Sequence, residues 1–289
     1  MLNYSIIIPH KNCPDLLKRL LDSIPERDDV QIIVVDDNSD EGKKPSIDRK
    51  DTEVILLDAE RSKGAGRARN VGLEHAKGKW LLFADADDYY TDKFSMLLDK
   101  YAKDESTDIV YLNACMFDEE GKETPHITQS LILDYLNGVK RAEMNLRYNL
   151  WTPWSRMVKR HVVTSHELFF DELPAGNDKM FCLCCSRYSS NMGVEKNFIY
   201  MYYRPKKGSQ TDRNRTNMLD GLLDLRCRTI KLYREVGHRP IPSLLKVIQN
   251  PKYNKGLSKS DLFQIYMKSL KKANVSFISD LRAFLFKRN

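Results

Sequence analysis

Three carboxylates stand within four residues of KWLLFADADDYY, where Asp85, Asp87 and Asp88 follow directly on the apolar run Trp80, Leu81, Leu82 and Phe83. Crowded carboxylates repel one another unless a cation sits among them. Hard oxygen donors suit Mg²⁺ or Mn²⁺, ions that usually accompany a phosphate-bearing substrate. A solvated acidic turn would show the same D-x-D spacing. Asp36 and Asp37, with Asn38 and Ser39 behind them, end a second apolar run, QIIVV. Lys63, Arg67 and Arg69 surround Gly64 and Gly66 at a helix start, where free N–H groups and positive charge together suit a diphosphate. A flexible loop with exposed arginines is the alternative there. Asp178, just before KMFCLCCSRY, is either a helix cap or a reactive carboxylate. Trp151 and Trp154 flank a proline in WTPWSRMVKR and either offer flat apolar faces to a sugar or fill the core.

Elements that could position these groups alternate along the chain. Tyr4 to Ile8 is a β-branched run ended by Pro9, and Pro14 opens a helix with Leu16, Leu17, Leu20, Leu21 and Ile24 at helical spacing. The run 31–35 is a second strand, 53–57 a third, and a helix carries Ala68, Val71, Leu73 and Ala76. The run 80–83, bounded by Gly78 and the acids, suits an interior parallel strand. Strands alternating with helices predict an α/β parallel sheet with crossover helices, and ligands bind beyond the carboxyl ends of such strands, where the acids fall. Further on, the pattern predicts a helix with Phe94, Leu97, Leu98 and Tyr101, a strand over 108–112, helices near 128–138 and 144–150, a helix after Asp178, and a strand over 197–203. Arg204, Lys206 and Lys207 stand beside a Gly-Ser turn.

The 289 residues, with 42% hydrophobic and 30% charged composition, describe a globular chain long enough for one large domain and an appendage. No apolar run approaches the roughly 18 residues of a membrane span, and MLNYSIIIPH enters a strand without a leader-like pattern, so a cytoplasmic protein is expected. Six cysteines with no C-x-x-C pair read as reduced thiols. The net charge of +7 is concentrated after Pro242, where ten Lys or Arg face two Asp. Helical periodicities in 212–234 and 257–286 carry Leu262, Ile265, Tyr266 and Leu270, then Phe277, Ile278, Leu281, Phe284 and Leu285, against basic residues. Such helices dock on the larger domain or rest peripherally on a membrane surface.

Taken in order, SIIIPHKN, IIVVDDNSD, GAGRARNVGLEHAKGKWLLFADADD, WTPWSRMVKR, ELFFDELPAGNDKMF and YMYYRPKKGSQT resemble the motif series of the family 2 glycosyltransferases with the GT-A fold. The resemblance covers about residues 4–211. It implies a Rossmann-like, mostly parallel sheet flanked by helices, in a catalytic domain over 1–211, with a nucleotide-binding half of about 1–113 and an acceptor-side half of about 114–211. The basic stretch 212–289 would be a small helical extension. It also implies a nucleotide-diphosphate sugar donor, UDP-sugar favoured, with Mn²⁺ or Mg²⁺, and transfer to a glycan or glycolipid hydroxyl with inversion, in surface polysaccharide or glycolipid synthesis. Asp37 matches the position that contacts the base, with Asp36 its neighbour; Pro9 and Lys63 lie on the donor side, and Arg69 and Asn70 match the A-R-N near the nucleotide. Asp85 is implied toward the ribose, Asp87 as the metal ligand and Asp178 as the catalytic base, with Trp151, Trp154 and Asn177 on the acceptor side. Two positions depart from the pattern. Lys11 stands where an aromatic often stacks on the base, and Asn177 replaces the usual Glu.

Two rivals remain in view. A nucleotidyltransferase would place its glycine-rich basic loop after the first strand, where this chain has PHKNCPD. A catalytically silent relative would bind nucleotide or glycan as a scaffold, which the retained Asp85, Asp87 and Asp178 argue against. A nucleic-acid partner rests on the basic tail alone and is not expected.

Overall fold

The computed structural model describes residues 2–204, 218–254 and 256–285. Contacts group the chain into two compact units, Met1–Ser209 and Gln210–Asn289. The boundary expected between 211 and 212, and the basic turn with Lys206 and Lys207, lie outside the described residues.

The first unit opens β1 (Tyr4–His10), α1 (Pro14–Asp22), β2 (Val30–Asp36), β3 (Thr52–Leu56), α2 (Ala65–His75), β4 (Trp80–Phe83). It continues with β5 (Tyr89–Tyr90), α3 (Phe94–Tyr101), β6 (Ile109–Phe117), β7 (Glu123–Pro125), α4 (Ile127–Leu136) and α5 (Ala142–Asn149). After a 3₁₀ turn at Pro153–Ser155 come β8 (Arg156–Lys159), α6 (Arg160–Ser165), α7 (Lys179–Tyr188) and β9 (Met192–Tyr203). One nine-stranded sheet runs β3-β2-β1-β4-β8-β6-β9-β5, with β7 paired to β6. β3, β2, β1 and β4 are parallel neighbours, as the crossover pattern predicts. β8 then enters antiparallel to both β4 and β6, which makes the sheet mixed.

The period-2 alternation of strands divides the core between the two faces of this sheet. Ile6, Ile8 and Leu82 pack with Leu17 and Leu20 of α1 and Phe94 of α3, whereas Ile7, Leu81 and Phe83 pack with Ala68 and Val71 of α2 and with Phe170 and Phe181. Each fully buried aliphatic side chain of this kind contributes about 1.5–3 kcal/mol. α2 approaches β1 so closely that a Cβ on Gly72 would lie 2.4 Å from Ile7 Cγ2, so only glycine fits there. Because the register sets His10 beside Asp36 and Ile7 beside Phe83, the chain leaves β1, β2 and β4 along one edge. The acids after β2 and β4 therefore share that edge.

WTPWSRMVKR, for which the periodicity predicts no element, contains a strand. Its second half is the interior strand β8, and Arg156 is fully buried, donating to the carbonyls of Cys182 at 2.9 Å and Leu150 at 2.5 Å. An arginine in a central strand is tolerated here because carbonyl ends of neighbouring elements take its terminal Nη donors, although the buried Nε finds no acceptor among the described residues.

The second unit contains α8 (Leu219–Glu235), α9 (Leu245–Ile248), α10 (Lys259–Ala273) and α11 (Phe277–Leu285). Its core gathers Leu223, Ile230, Leu244, Val247, Tyr266 and Leu270. Ser258 and Asp261 cap α10 reciprocally at 3.1 Å each way. Buried Asp280 accepts from Leu244 N at 2.8 Å, Leu245 N at 3.2 Å and Tyr266 Oη at 2.8 Å, which joins α9, α10 and α11. Among the described residues no helix is long and apolar enough to cross a membrane.

Candidate active site

Residues 85–88 close a turn directly beyond β4, with Asp88 N donating to Asp85 O at 3.0 Å. The three carboxylates face different environments. Asp88 is fully buried and accepts from Tyr200 Oη at 2.6 Å and from Tyr203 N at 2.7 Å. Burial and the neighbouring Asp85 and Asp87 push its pKa well up, so it fastens the turn to β9. Asp85 pairs with Arg69 Nη2 at 2.5 Å, while its backbone N–H donates to Tyr200 Oη at 2.9 Å. Asp87 takes no hydrogen bond or ion pair on its carboxylate from another residue among those described. Burial, with Asp85 second, pushes it up to about 6, which marks an uncompensated negative charge.

Arg69 connects this turn to a second segment. Its guanidinium is nearly buried, lies 5.4 Å over the Phe170 ring, and donates to Asn177 Oδ1 at 3.2 Å as well as to Asp85. Asn177 Nδ2 in turn donates to Leu173 O at 3.2 Å, and Gly66 packs so tightly on this loop that a Cβ would sit 2.2 Å from Asp171 O. The first turn of α2 thus clamps residues 170–178 beside the acidic turn. Asp178 stands at the N-cap of α7, yet its side chain makes no capping hydrogen bond. The cap alternative is thereby removed. Burial raises the Asp178 pKa, with Arg69 pulling it back down, so its carboxylate is basic enough to hold a proton briefly.

Of the 289 residues, 5–160 match the family model described as "Glycosyl transferase family 2", which is more than half of the chain. The chain belongs to glycosyl transferase family 2. It is 23% identical over 216 residues to the poly(ribitol-phosphate) beta-N-acetylglucosaminyltransferase TarS of Staphylococcus aureus strain Mu50, covering 72% of this chain and 36% of that protein. The match thus spans about a third of that relative's length. The crystal structure of S. aureus TarS 1-349 in complex with UDP-GlcNAc superposes with a TM-score of 0.63 at 18% identity, covering 94% of this chain and 72% of that one. The mannosyltransferase PcManGT from Pyrobaculum calidifontis, in complex with GDP-Man and Mn²⁺, superposes with a TM-score of 0.53 at 16% identity over 96% of this chain and 77% of that one. These likenesses give the fold as GT-A.

In this family 2 chain the residues singled out by sequence take unequal places. Asp37 is buried at the knot of three loops: Gly64 N donates to both carboxylate oxygens at 3.2 Å, and Lys11 Nζ and Ser62 Oγ reach its carbonyl at 2.7 and 3.1 Å. Lys11, in the place of a stacking aromatic, is spent partly on Asp37. Asp36, expected beside Asp37 at the nucleotide, is engaged within the protein. Only 1% exposed, it accepts from His10 Nδ1 at 2.7 Å and from Ser39 N at 2.9 Å, and these bonds overcome the burial that would raise its pKa. Cys13 N donates to His10 Nε2 at 3.3 Å, so the His10 proton sits on Nδ1, facing Asp36.

Asn70 is likewise engaged within the protein. Its amide donates to Phe170 O at 3.0 Å and accepts from Phe170 N at 2.8 Å, so both ends are engaged by one buried peptide segment. Lys63 and Arg67 both reach Glu172, at 3.3 and 3.6 Å, across the same clamp. Pro9 pairs with Val35 in the ladder, one residue before the end of β1. Trp154 is 3% exposed and stacked between Tyr200 and Tyr202, with centroids 4.9 and 5.2 Å away, which is core packing and not an open sugar platform. Trp151 is 40% exposed, and Lys179 Nζ lies 3.8 Å from its ring centroid, next to Asp178 in the chain. Tyr200 was missed because NFIYMYY shows only strand alternation. Its hydroxyl matters through a contact with residues more than a hundred positions away.

Proposed function

We propose that this chain transfers a sugar from a nucleotide-diphosphate sugar, with a UDP-sugar favoured, to an acceptor hydroxyl, inverting the anomeric centre, in the synthesis of a surface polysaccharide or glycolipid. The observation that carries this reading is the Asp87, Asp85, Arg69, Asn177, Asp178 series, which sets an uncompensated carboxylate and a hydrogen-bond-free base on two sides of one buried arginine. The UDP-GlcNAc in TarS and the GDP-Man with Mn²⁺ in PcManGT support the donor class and the metal.

The residues present fit a divalent cation. Asp87, pushed up to about 6, would be the ligand, with Asp85 beside it. Among the described residues no three His, Cys, Asp or Glu side chains converge, and a Mg²⁺- or Mn²⁺-type site would draw its further oxygens from substrate phosphate and water. When bound, such an ion supplies positive charge against the departing diphosphate. Asp37 and the 62–64 loop shape the base end of the donor site. Asp178 accepts the proton of the acceptor hydroxyl as that oxygen attacks the face opposite the leaving group, which inverts the centre in one displacement. Arg69 holds Asp85 and the base-bearing loop in register. Asn177 does this as a neutral acceptor, so the Arg69 charge remains available to Asp85 and Asp178. Trp151 lies on the acceptor side, and the basic helices of the second unit contact the inner membrane face where a lipid-borne acceptor is used.

The test is nucleoside diphosphate release from UDP-, GDP- and dTDP-sugars with Mn²⁺, comparing the wild type with Asp87→Ala and Asp178→Asn. One donor should turn over; Asp178→Asn should keep nucleotide binding and lose transfer, and Asp87→Ala should lose the metal requirement together with the rate. Nucleotide binding with no turnover toward any glycan acceptor would favour the scaffold reading, and no metal-dependent binding of any nucleotide would sink the transferase reading.

A further inference from the structure

Arg19 lies in the last turn of α1, outside every motif used above, and its guanidinium ends beneath the acidic turn. Nη2 donates to Asp87 O at 2.5 Å. Three rings from three different strands enclose the same group, with Cζ 5.4 Å from the Tyr89 centroid, 5.1 Å from Phe117 and 5.7 Å from Tyr203. Its Nε is buried without an acceptor, and among the described residues no carboxylate oxygen lies within ion-pair distance of it. An aromatic cage of this kind could be filled by a methionine or leucine at less desolvation cost. The charge and fork therefore need a reason, and among the described residues the hydrogen bond they make is with Asp87 O.

The rest of the turn shows what that contact does. Asp85 is fixed by Arg69 and Tyr200, and Asp88 by Tyr200 and Tyr203 N. Asp87 is the remaining acid, and its side chain is left open. A residue whose carboxylate is kept for a ligand must be aimed through its main chain, and the Asp87 carbonyl is the atom Arg19 holds. α1 supports the same segment at a second point, where Tyr90 N donates to Ser23 Oγ at 3.0 Å.

We propose that Arg19 is a positioning residue that aims Asp87 at the donor's metal and diphosphate by clamping its carbonyl from within the Tyr89, Phe117 and Tyr203 cage. This rests on the assignment of Asp87 as the metal ligand. Lysine keeps the charge but loses the planar fork that stacks in the cage and reaches the carbonyl at once. Methionine fills the cage and loses the clamp.

The experiment is Mn²⁺ binding by electron paramagnetic resonance, with UDP, GDP and dTDP in turn, on wild type, Arg19→Met, Arg19→Lys, Asp87→Ala and the Arg19→Met/Asp87→Ala double variant. Thermal unfolding is followed in parallel. Loss of a directed bond from a charged donor predicts Mn²⁺ affinity about tenfold weaker in Arg19→Met, a smaller loss in Arg19→Lys, and no further loss when Arg19→Met is added to Asp87→Ala. Unchanged Mn²⁺ affinity in a folded Arg19→Met protein, or the same fold loss in the Asp87→Ala background, would overturn the proposal and leave Arg19 as packing alone. A wild type that binds no Mn²⁺ with any of the nucleotides overturns the metal assignment itself, and that result appears before any variant is compared.

Discussion

Arg69→Met removes the one guanidinium shared by the acidic turn and the loop that bears Asp178. The Arg69 side chain is 6% exposed and that of Asp85 31%. Deleting one partner of a buried pair costs about 3–5 kcal/mol, but Asp85 keeps about a third of its water, so the loss should fall near 2–3 kcal/mol. For a unit of roughly two hundred residues this lowers Tm by about 4–12 °C. The more telling effect is on protonation. Burial raises the Asp178 pKa and Arg69 opposes the rise, so removing Arg69 lets it climb further. A base must be ionised to accept a proton, so the acidic limb of kcat/KM should move to higher pH in Arg69→Met and return most of the way in Arg69→Lys. The sign for stability is the reverse. A carboxyl whose folded pKa is raised favours folding while protonated, and this contribution is lost as pH rises through the folded value, so Arg69→Met should lose stability most on the alkaline side. Nucleoside diphosphate release across pH, with thermal unfolding at each point, measures both. An acidic limb at the wild-type pH, with rates only scaled down, would refute the coupling between Arg69 and Asp178.

Gly66→Ala places a Cβ 2.2 Å from Asp171 O; the loop must shift, and kcat should fall on the order of 10²-fold while circular dichroism remains native. Mn²⁺ must displace the proton that Asp87 holds up to about 6, so the apparent Mn²⁺ affinity should climb as pH rises to that value and level off above it. A flat profile through that range would count against Asp87 as the ligand. Asn70→Ala strips both partners from the buried Phe170 backbone and should cost about 2–4 kcal/mol in denaturant unfolding. Asp280→Ala leaves Leu244 N, Ser243 Oγ and Tyr266 Oη without the carboxylate they donate to, while Leu245 N keeps Ser243 Oγ as an acceptor at 3.1 Å. It should cost about 3 kcal/mol or more, read as faster proteolysis within 218–285 while nucleotide binding by the first unit persists.

Much of the sheet was legible from apolar runs ending in proline or a carboxylate. Ile6 to Ile8, the 31–35 run and Trp80 to Phe83 are bounded by Pro9, Asp36 and Asp85, and each is a strand of the parallel half. β8 was not legible, because a four-residue strand with Arg156 and Lys159 in it looks like a basic loop until Cys182 O, Leu150 O and Asp104 O are seen to take their donors. β9 runs five residues earlier than its alternation signalled, since Met192 to Glu195 pair with β6 ahead of an irregularity that breaks the period.

By itself the sequence determined the site's chemical inventory: acids after strands, a basic glycine-rich helix start, and a carboxylate before α7, in an order shared with family 2. Residue type and order are enough for that, because a strand end and a helix start put their flanking residues in known places. Tertiary structure alone decided which of those residues are engaged within the protein and which keep a side chain without a partner among the described residues. Asp36, Asn70 and Trp154 turned inward because partners distant in the chain, His10, Phe170 and Tyr200, satisfy their polar atoms or cover their rings. Asp87 and Asp178 stayed open because no donor among the described residues meets them. Whether a polar group is spent or free depends on which donors the fold brings within about 3 Å of it, and spacing along the chain carries no trace of that.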